Sequence, residues 1–165
     1  MADEILQLAD QEKIEEAIGF LRGLSSVVLG TVGQSGEPHT SYAPYIAFSG
    51  CFYVYVSGLA EHARTLKNGR VSLFFIEDEA QAKNLFARKR LTISCGTAIL
   101  ASDHHAYPVL LDRMEAAHGS TFKLLRNLPD FLLFELTPED ARFVTGFGAA
   151  YDISASIPQL AREPG

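Results

Sequence analysis

No tryptophan occurs in these 165 residues, and there are only two cysteines and two methionines. Two thiols are too few for a disulfide scaffold, so Cys51 and Cys95 read as reduced, buried side chains. Basic residues are scarce: 14 Lys and Arg stand against 20 Asp and Glu, for a formal net charge of −6. That balance argues against a nucleic-acid partner, which usually meets a basic face. No apolar run approaches the roughly 20 residues of a spanning helix, so no membrane association is expected. The opening MADEILQLAD shows no basic region followed by an apolar stretch, and a cytoplasmic location is the expectation. Paired CxxC, HExxH, serine-elbow and P-loop motifs are all missing. No metal site and no catalytic residue is assigned, and any chemistry has to be brought by a cofactor.

What is present is a chain that can fold. Hydrophobic residues make up 47% and charged residues 21%, an ordinary globular balance that fits one domain over 1–165. Ile14, Ala17, Ile18 and Leu21 recur at helical spacing, so 1–24 holds an N-terminal amphipathic helix. Then the period changes. Strands are expected at 26–32, 39–47, 51–57, 70–77 and 88–100, the last being the longest, and at 131–137 and 141–146 around a PED turn. Pro44 cannot donate to a ladder, so its position should be a bulge, an edge or a strand end. Short helices fit 60–68, stopped by Gly69, and 105–128, broken near Gly119; a helical turn fits 78–87. Residues 154–165 form a C-terminal tail. Seven short strands joined mostly by tight turns favour an antiparallel, closed or nearly closed barrel over a parallel βαβ sheet.

Four stretches carry possible chemistry. GFGAAY (146–151) looks like a dinucleotide fingerprint, but Tyr151 stands at the third glycine position and too little chain follows for a βαβ unit. Its plain reading is a glycine bend that lets backbone pass close to something flat. The adjacent His104 and His105 read as a surface loop. Ser57, His62 and Arg64 share one strand-to-helix transition, which reads either as an anion pocket or as a solvated helix face. Arg88, Lys89 and Arg90 form a knot of cations in an acidic chain. The knot either guards a strand end or, with Arg88 and Arg90 on one face of a strand, binds phosphate or carboxylate.

Together, SYAPY (41–45), VSGLAEHARTL (56–66), VSLFFIEDEAQAKNLFARKRLT (71–92) and FVTGFGAAY (143–151) resemble the pyridoxamine 5′-phosphate oxidase-like, FMN-binding split-barrel family. Within it they are most similar to the bacterial heme-utilisation branch. The resemblance spans about 10–153 and implies a mainly β (α+β) fold. That fold is a six- to seven-stranded antiparallel split β-barrel with flanking helices, homodimeric, with cofactor sites between subunits. It places Ser41, Tyr42, Ala43 and Pro44 beside the flavin ring. Ser57, His62 and Arg64 fall at its phosphate, Lys89 and Arg90 at the strand start that contacts flavin, and Arg88 adds charge at the mouth. Phe147 and Gly148 lie in the glycine motif. The function implied is an FMN-dependent oxidoreductase of unknown substrate. The alternative is a heme-binding protein that degrades heme to release iron. Asp130 matches an acidic position near heme in that branch, whose members ligate iron through a histidine that 152–165 does not contain, so the axial ligand is unassigned. A cofactor-free dimer acting as an interaction module is the third reading.

Overall fold

The computed structural model describes residues 6–163. Its elements are β1 (Gln7–Leu8), α1 (Gln11–Arg22), β2 (Ser26–Val32), β3 (Pro38–Phe48), β4 (Cys51–Ser57), α2 (Glu61–Leu66), β5 (Arg70–Ile76) and β6 (Arg90–Leu100). They continue with α3 (Tyr107–His118), α4 (Ser120–Leu125), β7 (Phe131–Gly146), β8 (Ala149–Asp152) and α5 (Ile157–Leu160). Six strands close into an antiparallel barrel in the order β7-β4-β3-β2-β5-β6, with β6 returning to β7. Strands β8 and β1 extend the sheet beyond β7.

Alternation builds the interior. Val27 and Leu29 of β2, Val71, Leu73 and Phe75 of β5, and Leu91, Ile93 and Cys95 of β6 all point inward and are buried. Strand β4 is buried on both faces, which explains why CFYVYVS reads as a continuous apolar run rather than an alternating one. Its Phe52, Val54 and Val56 fill the barrel, while Tyr53 and Tyr55 face an outer cluster with Leu110, Leu111 and Met114 of α3 and Phe122 of α4. Both cysteines are free; Cys51 is half-buried and Cys95 is buried. No helix is long and apolar enough to cross a membrane among the described residues.

Several expectations change on inspection. The two strands set around PED are one, β7, and at 16 residues it is the longest in the barrel. Pro138-Glu139-Asp140 is a bulge rather than a turn: Ser94 pairs with Asp140 and Cys95 with Pro138, so Glu139 is the extra residue. β7 changes neighbour here, pairing with β4 before the bulge and with β8 after it. Residues 78–87 form two 3-10 turns, Glu79–Gln81 and Leu85–Ala87, each started by an Asp or Asn side chain. The next ladder begins at Arg90, not at Arg88. The C-terminal residues 154–163 pack back on the barrel, with Leu160 and Ala161 entering the main core. Pro44 pairs with Ser26 at the end of the β2 ladder, one residue before β3 begins pairing with β4. It is the end of both ladders, where a missing N–H does no harm.

Candidate functional site

At one end of the barrel α2 lies across β2 and β3. His39, Ser41, Ala43 and Tyr45 face inward along β3, and Thr40, Tyr42 and Pro44 face out. The segment expected beside a flavin ring is thus divided between two faces, with Ala43 buried and Tyr42 68% exposed. Thr31 donates to Thr65 (2.7 Å), buttoning β2 to α2. Beside this pair His62 Nδ1 lies 3.2 Å from Ser41 Oγ. Burial, and then the neighbouring His39, lower the pKa of His62, so its imidazole is neutral near pH 7. His39 Nδ1 is buried without a hydrogen-bond partner among the described residues. Arg64 points away from this group, its exposed guanidinium 3.5 Å from Glu61.

The same end holds a second group. Ser57 Oγ donates to Asp130 Oδ2 (2.7 Å), and the Gly58 N–H donates to the Asp130 carbonyl (2.7 Å). A Cβ at Gly58 would sit 2.8 Å from that carbonyl oxygen, so the contact requires glycine. Ser57 and Asp130, which the sequence assigned to different ligands, are therefore partners.

The cation knot sits at the opposite end. Arg88 donates to the Glu77 carbonyl through Nε (3.2 Å) and Nη2 (2.5 Å), and Arg90 donates to the Arg88 carbonyl (3.1 Å). Lys89 pairs with Glu16 of α1 at 3.0 Å. Among the described residues only the lysine is neutralised by a carboxylate. Both guanidiniums rest on backbone oxygens, oriented but without a carboxylate partner among the described residues. Phe147 and Gly148 form the β7–β8 hairpin beside them, Arg90 pairing with Val144. Gly148 adopts a positive φ of 63°, and Phe147 is 72% exposed.

Register separates the two ends. Arg70, next after the α2 segment, pairs with Gly96, while Ile76 pairs with Arg90. His62 itself rests on Ser41, level with Leu29 and Leu73 across the ladders, so about 10 Å of strand and three strand spacings separate it from Arg90. Within one chain His62 and Ser57 do not meet Arg88 and Arg90.

Sequence reasoning missed His39, Thr31 and Thr65, as well as Glu77 and Glu16, the partners of the knot. The hairpin register, with Thr31 opposite His39, was the available signal for the first of these. Among the described residues no group of three or more His, Cys, Asp or Glu side chains could hold a metal ion.

A closed six-stranded barrel whose β7 serves two neighbours in turn, with a helix capping one end, defines a split-barrel protein of the pyridoxamine 5′-phosphate oxidase type. The chain belongs to that family: residues 14–145 match the family described as Pyridoxamine 5′-phosphate oxidase. It is 38% identical over 156 residues to a Vibrio cholerae protein named heme oxygenase HutZ, covering 93% of this chain and 89% of that one. A crystal structure of HutZ, there described as a heme storage protein, superposes with a TM-score of 0.75 at 37% identity, over 87% of this chain and 98% of that one. Campylobacter jejuni ChuZ gives a TM-score of 0.80 at 29% identity, over 95% of this chain but only 64% of its own longer one.

Proposed function

We propose that this protein handles heme, as a homodimer in which each site combines the α2 end of one copy with the arginine end of the other. The observation that carries this reading is the 38% identity to a named heme oxygenase along nearly the whole chain. The site chemistry supports it. Heme presents propionate carboxylates, and Arg88 and Arg90 are two oriented guanidiniums without a carboxylate partner among the described residues. An exposed half of β3 (Tyr42, Pro44) and Leu59, 85% exposed, offer apolar surface for a second copy and a flat ring.

His62 is the candidate iron ligand. It is neutral, its Nδ1 is fixed by Ser41, and no hydrogen bond is described for its Nε2. One ring nitrogen held and the other open is how ligating histidines are prepared. The chemistry heme would supply is oxygen-dependent ring opening or simple storage; the Vibrio relative is described both ways. This chain's own residues bind and orient: Ser57 and Gly58 fix Asp130, and Arg88 and Arg90 hold carboxylates.

FMN is the competing occupant, supported by membership of the family. The phosphate corner argues against it, because His62 is neutral, Arg64 is drawn to Glu61, and α2 is only six residues long. Parallel hemin and FMN titrations decide. Hemin should give a Soret shift that His62→Leu abolishes and Arg88→Ala/Arg90→Ala weakens about tenfold or more. An unchanged Soret band, or a yellow protein that binds FMN in preference to hemin, contradicts the reading.

A further inference from the structure

A cavity of about 390 Å³ opens on the α1 side of the barrel, and none of the residues assigned to heme lines it. Its walls are Leu21 of α1 and Leu24 just after it, Ile46 and Ala47 of β3, and Ala116 and Ala117 of α3. His118 also lines it, with its Nε2 engaged by the Tyr45 carbonyl at 2.9 Å. Ser25 and Tyr45 complete the lining, with the Tyr45 hydroxyl spent on the Leu21 carbonyl, so the interior is mainly apolar. The rim is not: Arg22, Arg113 and Arg162 stand around it.

The ion pairs of the described residues involve none of these three arginines. Arg22 lies in the last turn of α1, where the helix end accounts for a cation. No such reason covers the other two. The Arg113 guanidinium lies 4.5 Å over the Phe48 ring, a contact that orients it without neutralising it. The one acid at the rim among the described residues, Glu163, accepts the Ser49 N–H at 3.2 Å. Backbone N–H groups, its own first and then that of Ser49, hold its carboxyl below the ordinary value, with Arg113 and Arg162 adding to the effect, which leaves three cations against one anion around the hollow among the described residues.

The geometry points to a second binding site, specific for a small amphipathic carboxylate whose hydrocarbon part fills the alanine-lined hollow and whose carboxylate meets Arg113 and Arg162. The volume lies in the lower part of the range for small-ligand pockets, suited to one short chain or one ring. Charge complementarity selects an acid over an alcohol or an amine of the same shape. This inference stands apart from the heme reading, and a failed hemin titration leaves it intact.

Decanoate, decanol and decylamine, titrated into the isotope-labelled full chain, form the test. Saturable decanoate-induced shifts are expected at the amides of Ile46, Ala47, Ala116 and Ala117, with decanol at least about tenfold weaker and decylamine silent. Arg113→Gln/Arg162→Gln should weaken decanoate to the level of decanol. Ala117→Leu, at an exposed position that tolerates the larger side chain, should block the hollow and remove the shifts without lowering the melting temperature. Equal binding of all three probes, shifts that map elsewhere, variants that bind like the parent, or a hollow hidden by a second copy would each overturn the assignment.

Discussion

Gly58 shows how tightly single residues fix the site. Its backbone lies so close to the Asp130 carbonyl that a methyl group would have to displace main chain rather than a side chain. Gly58→Ala should therefore cost about 2 kcal/mol by denaturant unfolding, whereas an Ala at Gly19, where nothing lies within 4 Å, should be harmless or stabilising. His62 adds a pH dependence. Its folded pKa is below the ordinary imidazole value, so the unfolded chain binds the proton more readily and stability rises with pH in that range. Stability should fall as pH drops through about 6.5 and level off below the folded value, and His62→Gln should flatten that part of the melting-temperature profile. At this scale the sequence was readable where chemistry is concentrated. Ser57 and His62 stand out because hydroxyl and imidazole flank one short loop. His39 did not, because its importance depends on α2 folding over β3 and leaving Nδ1 buried without a hydrogen-bond partner among the described residues.

Strands and helices were more legible than their connections. β2 and β4 were placed residue for residue, since β-branched and aromatic runs between Gly and Ser turns have one good interpretation. The break at Gly119 between α3 and α4 was equally plain. PED misled because Pro and Asp are turn residues, whereas here they flank a bulge that lets β7 pass from β4 to β8, with Glu139 reaching Arg70 at 2.6 Å. The short strands β1 and β8 have no periodicity long enough to read. The docking of α1 on the knot makes its own prediction. Burial would raise the Glu16 pKa, but hydrogen bonds from Lys13 and Lys89 outweigh it and hold the carboxylate below its ordinary value. The contribution of this group is present above the ordinary carboxylate range and is lost as pH falls through the lower folded value. Acid melting should thus begin with α1, and Glu16→Gln should remove that step; a variant with an unchanged acid limb contradicts the coupling.

On the scale of the whole molecule, closure of the barrel sets the functional problem. Anchoring of β5 and β6 fixes the arginine end and the α2 end on opposite sides of one core, and no side-chain rotation brings them together. Individual residues of both halves could be picked out along the sequence. Their separation could not, because it follows from strand register, which alternation alone leaves open. Light scattering on the purified protein should give the mass of a dimer, and a monomer that retains hemin affinity would refute the shared site.

The most direct measurement mixes two crippled copies. His62→Leu damages one end and Arg88→Ala/Arg90→Ala the other, so each homodimer carries two defective sites. If each site draws its two ends from different subunits, equal mixing with subunit exchange recreates intact sites in the heterodimers, restoring about a quarter of the full hemin capacity. A mixture that binds no more hemin than the two variants apart would show that the two ends never share a ligand.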